Sequence, residues 1–445
     1  MPIHSYNAPS RSPARLVNVY AQATVSGKGP VELMGVPGIV AFAQLGTGPG
    51  RGLFVMRGSL YAVSGDGFYR ITEDGVVTRL GDLPGSGKLT FAGNGTEIVF
   101  DNKYIYTSGE VAPITDEDLP ALTAVDYVDG YVVYAESGTG RWGCSELYNG
   151  AVYPPLNFAT AESHPDDIVG LKVDHRQVLL FGQQTTEIWW NEGLSGFPFS
   201  RLSGGVLEYG CLARLGIAKQ DNSVFWLAHD RTIRRLAEQT PVRVSQHGVE
   251  EKIASYSRVD DCEAFPFTWN GHLFVVFRFP EAGATWVFDI TTNEWHERST
   301  YGQSHWLISD SVECFGRVFV QSSVTGAIGY LSDTNYTEFG GILRREWTYP
   351  QVYETNRRLF HSQLELVART GDAPSNQVPH VLLEVSNDGG NTWASMPARE
   401  LGRTGQYAHR VRWNRLGSAV DRVYRMSVDD ALVPVRVLDT TLEVR

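Results

Sequence analysis

The sequence predicts an all-β protein: a β-propeller of about six blades followed by a C-terminal β-sandwich. Three observations lead there. Short apolar runs rich in β-branched and aromatic residues recur in groups of four, at a period of about 40–50 residues. Asp-Gly and Asn-Gly pairs lie between the runs and supply the residues that accept positive φ in tight hairpins. Past Gly340-Gly341 the pattern changes to fewer, longer strands.

The rhythm is clearest from Leu122 to Trp190, where Tyr131–Tyr134, Ile168–Val173, Val178–Phe181 and Ile188–Trp190 are apolar and Asp129-Gly130 and Asn149-Gly150 turn the chain. No helical period competes in that stretch. Before it come Leu53–Met56, Ser59–Val63, Gly67–Ile71 and Val76–Leu80, then Lys88–Ala92, Glu97–Phe100 and Tyr104–Tyr106. After it come Ala213–Lys219 through Val242–Ser245, Ala264–Trp269 through Glu294–Arg298, and a set from His305 to Leu331. About 280 residues at this period make about six blades, each leaving a face for the next to bury.

Residues 1–50 are rich in Pro, Gly and Ser and are expected to form an extended arm on the body, with strands at Leu16–Ala21 and Ile39–Gln44. Such an arm can supply the strand that closes a ring of sheets. The propeller is assigned to 51–338 and the sandwich to 339–445. Expected sandwich strands are Ile342–Val352, Leu359–Ala368, His380–Ser386, Ala408–Asn414, Arg422–Val428 and Arg436–Val444. The loop Thr370–Val378 has a disorder-prone composition.

A chain of 445 residues buries a large core, and its 42% hydrophobic and 20% charged residues are ordinary for a globular protein. The net charge is −12, which argues against a groove built to grip phosphates. Residues 1–338 carry 24 Lys and Arg against 38 Asp and Glu, while 339–445 carry 14 against 12. All 14 of those C-terminal basic residues are arginine, for which codon bias is a sufficient explanation. MPIHSYNAPSRSPARL has no apolar segment of a secretory signal, and no run approaches the roughly 20 residues of a membrane span. Cys144, Cys211, Cys262 and Cys314 are widely spaced, so buried free thiols in a reduced compartment are expected rather than disulfides.

Motifs that carry chemistry are scarce. Ser386-Asn387-Asp388-Gly389-Gly390-Asn391-Thr392-Trp393 matches the Asp-box pattern of sialidases and related propellers. Its residue types specify a hairpin that includes Thr392, with Asp388 and Ser386 bonding turn amides, the glycines, Gly390 among them, taking unusual φ and Trp393 packing beneath. Gly85-Ser86-Gly87-Lys88 lacks the upstream glycine and the following Ser or Thr of a phosphate loop. The acidic pairs at 116 and 118, 166 and 167, 260 and 261, and 429 and 430 read as solvated loop charge. The histidines show no metal-ligand spacing, and no G-x-S-x-G occurs. Trp189-Trp190, Trp269, Trp286, Trp295 and Trp306 are expected to fill the spaces between blades. No catalytic residue, cofactor or metal is therefore assigned.

Glu162-Ser163-His164-Pro165-Asp166, with Gly182 and Glu187 following, resembles the packaged-DNA stabilisation proteins of short-tailed phages, their tail-hub or nozzle proteins. Asn18-Val19-Tyr20 with Val36-Pro37-Gly38-Ile39, and Asp129-Gly130-Tyr131 ahead of Trp142 and Ser145, carry the same resemblance, which spans most of residues 1–330. The S-N-D-G-G-N-T-W hairpin and Val411–Gly417 are similar to the tail ends of many phage versions. The resemblance implies a non-enzymatic homohexameric ring in the virion, assembled in the host cytoplasm. Its partners would be a head-to-tail adaptor ring and a tail needle or receptor-binding fibres. Double-stranded DNA would pass through the lumen without specific binding, and this chain would not insert into a membrane. An acidic lumen fits that role, because each basic contact with phosphate adds counterion-release affinity. The competing class is a tail-associated propeller that binds or cleaves glycans. Cleavage requires paired carboxylates at one mouth of the propeller, and recognition requires aromatic side chains exposed in a groove.

Overall fold

Tight turns set the blades. In a computed structural model, which describes residues 14–24, 31–355, 357–374 and 376–445, Asp129-Gly130 takes φ of 50° and 95°, Asn270-Gly271 48° and 81°, and Phe315-Gly316 49° and 68°. Positive φ at both central residues gives a hairpin twist that matches its strands. The flanking runs pair antiparallel: Leu122–Val128 with Tyr131–Glu136, Glu263–Trp269 with His272–Phe279, and Ile308–Cys314 with Arg317–Ser322.

Seven such four-stranded units follow one another: blade 1 at 50–82, blade 2 at 91–113, blade 3 at 122–160, blade 4 at 168–207, blade 5 at 217–243, blade 6 at 263–297 and blade 7 at 308–332. The count exceeds the expected six by one, because blades differ in length and blade 2 needs only 91–113 for its four strands. Blade 7 has three strands of its own. Its fourth comes from the start of the chain, where the strands are β1 (Arg15–Val17), β2 (Val19–Ala23), β3 (Val31–Gly35) and β4 (Gly38–Gln44). Strand β4 pairs with Ala327–Ser332, placing Val40 opposite Tyr330 and Ile39 opposite Leu331. The ring is thus closed by hydrogen bonds between its two ends.

Each blade junction has its own apolar core. Phe68 and Val63 meet Phe100 between blades 1 and 2, Trp142 meets Leu180 and Phe199 between 3 and 4, and Phe225 meets Phe288 and Trp295 between 5 and 6. The other junctions are packed in the same way, with Phe319 meeting Leu60 where blade 7 returns to blade 1. Burying one such large side chain contributes about 1.5–3 kcal/mol, so the ring is held by many independent contacts. Trp286, Trp295 and Trp306 fill these cores as expected, whereas Trp190 is exposed. The helix α1 (His247–Ala254), which joins blades 5 and 6, buries Val249 and Ile253 at helical spacing.

The sandwich is continuous with the propeller. Strand β1 runs parallel to Glu294–Glu297, the outer strand of blade 6, and antiparallel to Arg345–Thr348 of the sandwich, so one ten-stranded sheet crosses both units. Strands β2 and β3 extend the second sandwich sheet, where Leu33 faces Val437. The two sheets enclose Leu16, Leu33, Trp347, Leu364, Trp413 and Tyr424. The described part of the expected arm is therefore divided between sandwich and propeller; residues 1–13 and 25–30 lie outside the described residues. Ala394–Glu400, a mostly exposed strand with a proline, was not expected, and Thr370 and Ala373 of the disorder-prone loop are buried.

Candidate functional site

The inside of the propeller carries a polar network that joins several blades. Arg214 lies on the connection from blade 4 to blade 5 and pairs with Asp101 of blade 2. The same guanidinium donates to the carbonyl oxygens of Thr123 in blade 3 (2.8 Å) and Lys88 (2.7 Å). Blades 2 and 5 are not neighbours, so this contact crosses the interior. Lys88 then reaches blade 7, donating to the Ser309 carbonyl at 2.6 Å and lying 3.9 Å from Asp310, with the Phe265 ring of blade 6 at 5.5 Å. Asp310 accepts the amide of Leu53 in blade 1 at 3.0 Å. Arg214, Lys88 and Asp310 together link blades 1, 2, 3, 6 and 7 with the connection from blade 4 to blade 5, near the start of the inner strands.

Near the other end of those strands, neighbours are joined in pairs. Lys172 lies 3.3 Å from Asp126, Lys219 lies 2.8 Å from Asp174, and Gln220 donates to Thr268 at 3.1 Å. Burial raises the Asp101 carboxyl above its ordinary range, and Arg214 and the Thr90 hydrogen bonds offset that only in part. An arrangement of this kind ties blades that are not neighbours to one another across the interior.

The phage-like E-S-H-P-D element forms a clasp between blades 3 and 4. Asp166 accepts the amides of Gln184 (2.6 Å) and Thr185 (3.2 Å), capping the turn that follows Gly182. A Cβ on Gly182 would come 2.6 Å from the Asp166 carboxylate, so only glycine allows this approach. Glu187 is 2% exposed and accepts the Ser163 amide at 2.7 Å and the Trp189 indole N–H at 2.8 Å, with Arg201 at 3.5 Å. The Asp166 amide donates to the His164 carbonyl at 2.9 Å, closing the loop around Pro165; Glu162 is exposed. At the other phage-like stretch, Asn18 donates to the Ser299 and Arg344 carbonyls at 2.8 Å each and ties blade 6 to the sandwich.

Several of the remaining sequence candidates have structural partners. Asp388 accepts the Ser386 and Thr392 hydroxyls at 2.6 Å each and the Asn391 and Thr392 amides at 3.0 and 2.9 Å; the Ser386 bond first, then those of Thr392, hold its carboxyl far below the usual range. Ser386 accepts the Gly390 amide at 2.9 Å, and Trp393 donates to the Gly390 carbonyl under Arg425. Around Gly85-Ser86-Gly87-Lys88, the carbonyls of Gly87 and Leu83 accept from buried Arg51. Asp116 caps the amides of Asp118 and Tyr153. Among the described residues, no three His, Cys, Asp or Glu side chains gather as a metal site. The axial pair itself had no sequence signal, since a lone Arg and a lone Asp on separate loops look like solvated charge.

These features define a class of protein: an all-β propeller joined to a β-sandwich through a shared sheet, with the polar side chains of its interior and of its E-S-H-P-D clasp tying blades together. The chain belongs to the bacteriophage P22 Gp10 family, whose β-propeller model matches residues 12–336 and whose β-sandwich model matches residues 344–444. That family makes it a phage tail protein of the nozzle and packaged-DNA-stabilising type. No curated protein matches the sequence. Solved structures similar to it include the computationally designed Ika8 protein (16% identity, 74% of this chain and 98% of that one, TM-score 0.40) and the Cps50 (Swd1) β-propeller domain of Myceliophteria thermophila (10%, 66% and 99%, 0.45). PorZ of Porphyromonas gingivalis matches at 13% over 79% of this chain and 46% of that one, with a TM-score of 0.39.

Proposed function

We propose that this chain is the structural nozzle subunit of a short-tailed phage, forming a ring beneath the head-to-tail adaptor that retains packaged DNA and conducts it on ejection, without catalysis of its own. The observation that carries this reading is the crossed propeller axis. A duplex whose major groove alone is about 12 Å wide cannot pass where Arg214 and Lys88 join opposite blades. A DNA conduit built from this chain must then lie between copies, and a ring of six is the number the resemblance implies. The shared ten-stranded sheet supports the same reading, because a subunit without a hinge keeps a lumen constant in width. The net charge of −12 suits an acidic lining that releases DNA instead of holding it. A distal needle or fibre would dock on such a ring.

Light scattering and negative-stain imaging test this, on the protein alone and mixed with its adaptor ring. Six-subunit rings with an open axis in either sample are the expected result. A monomer in both overturns the proposal.

A further inference from the structure

A groove of ≈ 410 Å³ opens between blades 6 and 7, lined among others by Trp269, Asn270, Glu313, Arg317, Tyr330 and Asp333. We infer that this groove binds a neutral saccharide, a role that goes beyond the nozzle reading and does not depend on it. Its volume is within the roughly 300–1,000 Å³ of small-molecule sites. Its rims are the hairpins Asn270-Gly271 and Phe315-Gly316, whose paired positive φ values fix their shape before any ligand arrives. Trp269 and Tyr330 are both half-buried, so each ring is anchored in the fold and still offers apolar surface. Such surface suits the C–H faces of a pyranose, as aromatic side chains carry a large apolar area in a rigid form.

The polar side chains complete the chemistry. Arg317 lies over the Tyr330 ring at 4.5 Å, which orients its guanidinium without using its donors. Among the described residues Glu313, Arg317 and Asp333 make no ion pair, although charged side chains elsewhere in the fold are widely paired. Their hydrogen-bonding capacity is open toward the groove. Planar carboxylate, guanidinium and amide groups can each meet adjacent hydroxyls with two hydrogen bonds. Two carboxylates against one guanidinium leave the groove with net negative charge, so a phosphate, a uronic acid or a nucleic acid is repelled and a neutral sugar is not.

The test uses the full chain, titrated with maltohexaose, a mannan hexasaccharide and a galactan hexasaccharide as neutral probes and with digalacturonic acid as the acidic one. Tryptophan fluorescence and saturation-transfer NMR report binding. At least one neutral probe should bind with a Kd of about 1 mM or tighter, and Trp269→Ala should weaken it about tenfold or more. Because Trp269 also packs against the core between blades 6 and 7, Arg317→Ala and the double variant Glu313→Gln with Asp333→Asn provide a second set with the same expected loss. Three results overturn the inference: no neutral probe binds, binding survives both sets of variants, or only the acidic probe binds. A chain that forms rings and fails here keeps its nozzle role and loses this one.

Discussion

Arg214 and Asp101, 113 positions apart in the sequence, meet inside the propeller and join blades that do not touch each other. Asp101 is 7% exposed, and burial already disfavours its charge. Removing the cation leaves a buried carboxylate with only its two Thr90 hydrogen bonds, the costly half of breaking a buried pair. Arg214→Met should therefore lower the unfolding free energy by about 2–3 kcal/mol, the low end of the range because Arg214 is itself partly solvated. Adding Asp101→Asn should restore more than half of the loss. Urea midpoints at constant slope measure both. Equal stability of Arg214→Met and the native chain would mean that the axial pair holds nothing.

Glu187 makes a second, separable prediction. Its carboxylate gathers the Ser163 amide and the Trp189 indole at the seam of blades 3 and 4. Glu187→Ala removes a buried charged acceptor from two partly buried donors and should cost about 1–3 kcal/mol. Ser163→Ala should be nearly silent, since the backbone amide and not the hydroxyl is used. Thermal melting of the two variants side by side distinguishes them. A large effect from Ser163→Ala would place the specificity of the motif in its side chains.

What could be seen in the sequence was whatever acts locally. Asp129-Gly130 announces a hairpin because only a few residue types tolerate its φ values. The N-terminal arm was legible as able to supply a ring-closing strand, without a sign of which of its two strands would do so; Gly38–Gln44 supplies the outer strand of blade 7. The blade count was less legible, since blade 2 is too short for an average period to register. Ala394–Glu400 was missed because an exposed edge strand with Pro397 lacks alternation. Val249 and Ile253 were a readable helical signal in α1 that went unread. For the interior pair no local signal exists: Asp101 and Arg214 acquire their roles only when the ring closes. Trp269 stood out as an aromatic, yet Glu313 and Arg317, which line the same groove, look like any hairpin residues.

The four cysteines should be inert in the native protein. Cys144, Cys211, Cys262 and Cys314 are all buried and free. Burial pushes the thiols of Cys144 and Cys211 up to about 12 and that of Cys262 well above its ordinary value. The thiolate is the reactive form, so at pH 8 a disulfide reagent should modify none of these three before unfolding and all four in denaturant. Cys314 is raised by burial too, but it is the most accessible at 6% and should be the first to react on mild destabilisation. Early labelling of Cys262 would contradict the closed junction between blades 5 and 6.

Acid sensitivity should begin with the histidines. His361 is buried in the sandwich, with its Nδ1 2.8 Å from the Tyr424 hydroxyl. Burial, helped by the Arg422 charge, lowers its pKa to about 4. An unfolded chain takes up that proton near pH 6.5, so the stability tied to neutral His361 is complete above about 6.5. It is lost progressively as the pH falls toward 4. His296, held far below its ordinary value by burial and by Arg298 and His272, acts in the same direction, as does His305. The raised carboxyls of Asp101, Glu338 and Asp429 act in the opposite direction. The informative quantity is thus the difference between the native chain and His361→Gln, which can still accept from Tyr424 but does not titrate. Between pH 7 and 5 the melting temperature of the variant should fall less steeply than that of the native protein. Parallel curves would show that His361 takes up its proton without unfolding, through water reaching the ring.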